Sequence, residues 1–252
     1  MPCTRLIAVG LALSLACASA ASPACSPMPG YRVPSNLELV AEAETIVLAQ
    51  VVAGHLDEGG DPFESTVTIR PLEALKGPIP DGDIALKGMM LSRDAGPELG
   101  MLSDPREFER AHPVSYVGGC IRYVFPLGTT ALFFLERRGG EWVPAGGAFS
   151  RWAEDVGGSE APWVELVRLY LRAAQLPAGE RPVWLGAQRE ALRTRAGDPV
   201  AQLMAADIGR QLGPAPAGDA HAQLDDADPE ATESALEAEI RRLRQAAIEA
   251  GN

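Results

Sequence analysis

The chain has 252 residues, 46% of them hydrophobic and 22% charged, which supplies enough apolar material for a packed core and excludes a disordered polar chain. Lys and Arg number 22 against 34 Asp and Glu, for a formal net charge of -12. A surface this acidic repels phosphate backbones and anionic headgroups, so nucleic acid and electrostatic membrane attachment are excluded as expected partners.

Arg5 gives the first residues a positive charge, 6–15 is an apolar run, and Ala18-Ser19-Ala20 supplies small residues at a cleavage point. This is the grammar of a secretory signal peptide, expected over 1–20. The run is too short to span a hydrocarbon core of about 30 Å. The mature chain is expected to be exported, periplasmic or secreted, where cysteines form disulfides. Three mature starts stay open. Cleavage after Ala20 leaves a soluble chain. Leu13-Ser14-Leu15-Ala16-Cys17 reads as a loose lipoprotein box, which would put a lipid on Cys17 and anchor the chain to the outer membrane. Cleavage after Ala24 leaves Cys25 first. After a cut at Ala20, Cys25 and Cys120 remain and allow one intramolecular pairing. It would close a loop of roughly 95 residues, worth at most about 4–5 kcal/mol in the chain-entropy model. Free or intermolecular thiols are the alternatives.

Ser35 with Glu38 three residues on predicts a capping box opening a short helix over 36–43. The β-branched run 45–52 (TIVLAQVV) predicts a strand buried on both faces. Residues 65–70 (STVTIR) alternate, which predicts a half-buried strand, with an edge or bulge at Pro71. Lys76-Gly77-Pro78 is a turn signal. A third strand is expected over 83–91. The stretch 92–113 is long and polar, with a helical turn expected near Phe108. Short strands are expected over 114–117 and 121–125, and a strong one over 129–136 (TTALFFLE). Arg137-Arg138-Gly139-Gly140 reads as a hairpin turn, with its return strand at 141–143.

Helices take over near Gly157. Ser159 is expected to cap one that carries Trp163, Leu166, Val167, Tyr170, Leu171 and Ala174 on one face. A second is expected over 182–196. Asp198-Pro199 opens a third with Val200, Leu203, Met204 and Ile208 apolar, ended by Gly213. Residues 214–228 read as a linker and 229–252 as a last helix. Strands first and helices second predict an α+β fold. The expected domains are a β unit at 21–150, a helical region at 158–213, and the C-terminal helix.

The pattern offers no HExxH, GxSxG or P-loop motif. The three histidines His55, His112 and His221 are expected as scattered surface residues, with no metal, cofactor or catalytic group implied. Asp225-Asp226-Ala227-Asp228-Pro229-Glu230 reads as a solvated linker, and Arg241-Arg242-Leu243-Arg244 as a polar helix face. Trp163, Tyr170 and Trp184 read as core aromatics.

Three stretches carry a family resemblance. Glu44-Thr45-Ile46-Val47-Leu48-Ala49-Gln50-Val51 resembles the first barrel strand of exported bacterial TIMP-like proteins. Pro71-Leu72-Glu73-Ala74-Leu75-Lys76-Gly77 is similar to the strand and Lys-Gly turn that follow. Gly128-Thr129-Thr130-Ala131-Leu132-Phe133-Phe134-Leu135 is similar to the glycine-led aromatic strand. Cys25 and Cys120 fit the same order. The resemblance covers about half of the chain and implies a small OB-type Greek-key β-barrel, TIMP/netrin-like, followed by the helical extension. The expected function is that of an exported, non-enzymatic binding protein that contacts a protein partner through Cys25, Ser26, Pro27, Met28 and Tyr31 and neighbouring loops. The alternatives are a lipid-anchored envelope component and a metalloprotease inhibitor. In animal inhibitors of this family the N-terminal cysteine chelates the protease zinc. That role would fall to Cys25 only after cleavage at Ala24. Here Ser26-Pro27 replaces the Cys-x-Cys start, and fold alone does not transfer the activity.

Overall fold

The computed structural model describes residues 30–213 apart from Gly60, Pro62, Ile79 and Pro80. The expected signal peptide, Cys17, residues 25–28, the 214–228 linker and the last helix lie outside the described residues.

Helix α1 (Asn36–Glu42) opens on the predicted capping box. The Ser35 hydroxyl accepts from the Glu38 N–H, and the Glu38 carboxylate takes the Ser35 N–H at 2.8 Å. Strands β1 (Thr45–His55), β2 (Thr66–Lys76) and β3 (Ile84–Lys87) form an antiparallel meander. Pro71 does not end its strand. It lies opposite Ala49 beside a register shift between Leu48 and Ala49, so a bulge absorbs the missing N–H and β2 runs on to Lys76. At the end of β2 the Lys76 ammonium donates to the carbonyls of Val40 and Ala41, closing the C-terminus of α1.

The expected third strand breaks at Gly88, which has φ 72, into β3 and a two-residue β4 (Met90–Leu91). A one-turn helix α2 (Ser92–Ala95) and a 3-10 turn Pro97–Leu99 follow. No helical turn forms at Phe108, which is buried in loop backbone. The strand expected over 114–117 is instead a 3-10 turn, Pro113–Tyr116, as a proline at its start favours. Of 121–125 only β5 (Val124–Phe125) is extended, and it pairs in parallel with β4. Strand β6 (Thr130–Arg138) turns through Gly139 (φ 61) and Gly140 (φ 89) into β7 (Glu141–Pro144). Two successive positive φ angles make this the tight hairpin that paired glycines favour. Strand β8 (Ala153–Asp155), absent from the sequence reading, pairs with β6 at Ala131–Phe133.

The sheet order is β3-β2-β1-β6-β7, with β8 beside β6 on the same flank as β7. The sheet is open: no ladder joins β3 to β7 among the described residues. The closed barrel expected from the sequence is therefore not formed, and the architecture is mixed α+β.

Helices α3 (Pro162–Ala174), α4 (Arg181–Arg193) and α5 (Pro199–Leu212) follow; α3 meets the sheet through Trp163 against Phe134, and α4 and α5 pack with α3. Ala161, not Ser159, is the N-cap of α3, because Pro162 takes the first helical position. Asp198 caps α5 as expected, accepting from Ala201 N–H at 3.0 Å.

The doubly buried β1 and β6 are explained by two aromatic layers. Phe133 meets Phe125 and Trp152 on one face, and Phe134 meets Trp163, which also touches Phe108, on the other. One hydrophobic cluster runs from β1 through α3 to Leu185 and Ile208, so the helices share the core of the sheet rather than building their own.

Candidate functional site

Tyr31 is the one residue of the expected partner-contact set that lies among the described residues. It is half-buried, and its hydroxyl donates to the Ala148 carbonyl at 2.8 Å. Burial raises the phenol above its ordinary pKa. Next to it, Arg32 grips Glu38 in a two-pronged ion pair at 2.6 and 2.7 Å. The Arg32 hydrogen bond pulls the Glu38 carboxyl down to about 2. These two anchors fix residues 32–35 as one wall of a cleft of about 420 Å³. The opposite walls come from 107–110, from Tyr116 stacked on Phe149 at 5.2 Å, and from the last turns of α5.

Arg151 lines this cleft although only 4% of it is exposed. Its guanidinium sits 4.3 Å from the Trp163 ring centre, a cation-π contact. Its nearest carboxylate oxygen, on Glu154, is 3.5 Å from Nε, too far for a good hydrogen bond. Nε and Nη1 have no hydrogen-bond partner among the described residues. Arg110, exposed at the rim, lies over the Tyr116 ring at 5.3 Å.

The long polar stretch over 92–113 is tied down behind the cleft. The Ser103 hydroxyl donates to Glu154 Oε2 at 2.7 Å, and its N–H donates to Asp155 Oδ2 at 2.9 Å. The His112 N–H donates to Glu154 Oε1 at 3.1 Å, while its Nδ1 accepts from Val114 N–H. His112 is therefore buried, not a surface residue as expected. Burial, helped by the nearby Arg122 charge, lowers its pKa to about 3, so the ring is neutral. Arg122 is buried too and donates to Asp155 Oδ1 at 2.9 Å and to the carbonyls of Ala153 and Val124. Arg122 and Asp155 are thus paired and hydrogen-bonded, as an apolar interior requires.

Asp207 joins the helices to this frame. It is buried and accepts from Tyr170 hydroxyl, from Asn36 Nδ2 at 3.0 Å and from Arg210 at 2.9 Å. Burial raises the pKa of both Asp207 and Tyr170. Asn36 Nδ2 also donates to the Phe108 carbonyl at 2.6 Å. One carboxylate therefore holds α1, α3, α5 and the 107–110 wall together. The sequence carried one signal for it, an acidic residue within the apolar face Leu203, Met204 and Ile208. Arg110, Phe149 and Arg151 carried none, because their neighbours come from distant segments.

His55 is exposed at the end of β1 and His221 lies outside the described residues. No group of three or more His, Cys, Asp or Glu able to hold a metal occurs among the described residues. No helix among them is long and apolar enough to cross a membrane. Cys120 does not carry a free thiol, while Cys25 lies outside the described residues. Chemically, the cleft offers guanidinium donors, aromatic faces and carboxylates. That set suits holding a ligand by charge and stacking. Comparison with family models, with curated proteins and with solved structures found no match.

Proposed function

We propose that this is an exported, non-enzymatic binding protein that engages a protein partner at the cleft beside its N-terminal segment. The observation that carries the reading is the position of residues 31–35. Tyr31 and Arg32 are anchored by their own side chains, and the backbone between Tyr31 and α1 forms a wall of the cleft. The proposed contact set is Tyr31 and the cleft together with Cys25, Ser26, Pro27 and Met28. Pairing of Cys25 with Cys120 belongs to the proposal, as does an OB-type, TIMP/netrin-like origin for the sheet. The central β1, the parallel β4–β5 pair and the Lys87–Glu141 ion pair at 2.8 Å between the sheet's two edge strands support that origin.

The test places a photo-crosslinking residue at Val33, at Arg110 and, as a control, at Val183, which is exposed on α4. In the native host, positions 33 and 110 should give the same discrete adduct and position 183 none. Equal adducts at all three positions, or none at 33 and 110, overturn the reading.

A further inference from the structure

We infer that the cleft recognises a singly charged carboxylate flanked by an aromatic or large apolar group, presented by a peptide segment of the partner, with Arg151 and Arg110 as its two anion-binding side chains and the Tyr116–Phe149 pair as its apolar platform. This rests on the reading of the cleft as a protein-binding site and specifies what the partner must carry.

Arg151 is the decisive group. A buried guanidinium with two donor atoms unspent is costly, and native interiors satisfy such groups. Glu154 does not do so. Its Oε1 takes the His112 N–H, its Oε2 takes the Ser103 hydroxyl, and Arg151 Nε remains 3.5 Å away. The other arginines at the cleft differ. Arg32 is held by Glu38, and Arg210 by Asp207 and Glu109. Arg110 has no carboxylate partner among the described residues and rests on Tyr116. Arg110 at the rim and Arg151 in the wall thus bring two guanidiniums to one cleft, Arg151 with two donors unspent, and a planar carboxylate matches the fork of a guanidinium.

The rim selects the charge of the anion. Glu107, Glu109 and Asp207 also line the cleft. Arg210 balances Glu109 and Asp207, which leaves Glu107 as the lining carboxylate with no arginine partner among the described residues, and its charge opposes a dianion such as a phosphate monoester more strongly than a single negative charge. The stacked rings of Tyr116 and Phe149 line the cleft beside Arg110, which favours an aromatic or apolar neighbour to the carboxylate. Phe149 holds φ 54, a conformation rare for a bulky residue, and backbone of this kind concentrates at ligand sites.

The experiment titrates the full chain with N-acetylphenylalanine, N-acetylphenylalaninamide and phenyl phosphate by isothermal calorimetry or ligand-observed NMR. The acid should bind at least about tenfold more tightly than either the neutral amide or the phosphate, since a charge-assisted contact distinguishes them. Arg110→Gln, at an exposed position, should weaken the acid about tenfold and leave the amide unchanged. Arg151→Lys should weaken it further. If that buried variant fails to fold, Arg110→Gln carries the test alone. Equal binding of acid and amide, tighter binding of phenyl phosphate, no binding of the acid, or an unaffected Arg110→Gln overturns the inference. If the acid fails while crosslinking at Val33 succeeds, the inference falls and the binding-protein reading stands. If the acid binds and no adduct forms, the cleft holds free carboxylates and the protein-partner reading falls.

Discussion

Phe149 donates its backbone N–H to the Cys120 carbonyl at 2.6 Å, and both residues hold positive φ, 54° and 59°. Two non-glycine residues in the left-handed region, locked to each other, join the cysteine to the aromatic wall of the cleft through a single hydrogen bond. If Cys25 is the partner of Cys120, the N-terminal segment and that wall share one covalent tie. Cys25→Ser and Cys120→Ser should then each lower stability, by up to about 4–5 kcal/mol for a loop of this length. The double variant should lose no more than either single one. Urea denaturation of the three variants reads this, and additive losses would show that the two cysteines are not paired.

His112 makes the fold acid-sensitive in a defined window. Its folded pKa of about 3 lies below the ordinary value of about 6.5, so the unfolded chain binds the proton first. Stability contributed by the neutral ring is complete above about pH 6.5 and is lost as pH falls toward 3, at about 1.4 kcal/mol per pH unit once the unfolded ring is protonated. Glu38 adds a loss only below its ordinary range, near pH 4.5, as its carboxyl titrates toward about 2. Denaturant midpoints between pH 7 and 5 therefore lie above the Glu38 window, and the His112 share is the part of the slope that a His112 variant removes. His112→Asn, which keeps an acceptor for Val114 N–H, should flatten that part of the profile. An unchanged slope would assign the acid sensitivity elsewhere.

These two cases show which parts of the molecule are legible in the chain. The Ser35–Glu38 box, the Asp198-Pro199 start of α5 and the Gly139-Gly140 turn were readable because their partners lie within three residues. Strand β8 was not. Glu154 and Asp155 look like solvent-facing charges until Ser103, His112 and Arg122 arrive from 33 to 52 residues away, and nothing local marks that meeting. The same holds for the cleft. Tyr31 could be named from the N-terminal segment, whereas Arg151 becomes notable only once Trp163 stacks on it and Glu154 is spent on other donors.

Asp207 should behave as a structural clamp. Asp207→Ala removes the acceptor for Tyr170, Asn36 and Arg210 at once and leaves buried donors unsatisfied, so a loss of about 3–5 kcal/mol is expected. Asp207→Asn keeps an acceptor and should lose clearly less. Because burial raises the carboxyl's pKa, the folded state holds its proton more tightly than the unfolded one. The stabilisation from the protonated form is present at low pH and lost as pH rises through the folded value. Only the wild type gains from the protonated carboxyl, so the gap between wild type and Asp207→Asn should widen on mild acidification, and a gap that narrows would contradict the burial argument. Both are read by urea denaturation at two pH values.

The Lys76-Gly77 turn predicts a sharper effect. Gly77 holds φ 71, and a Cβ placed there would lie 2.1 Å from the Glu44 carbonyl oxygen, against backbone that cannot rotate aside. Gly77→Ala must therefore push apart the start of β1 and the end of β2, which pair at Ile46 and Lys76. The same movement would draw the Lys76 ammonium from the carbonyls of Val40 and Ala41. A loss of about 3 kcal/mol or more is expected, from backbone strain and overpacking together. Lys76→Met removes only the helix-end contact and should lose about 1 kcal/mol. Thermal denaturation of the two variants separates the effects. If Gly77→Ala proved no worse than Lys76→Met, the close approach of Gly77 to Glu44 would not be what holds this corner of the sheet.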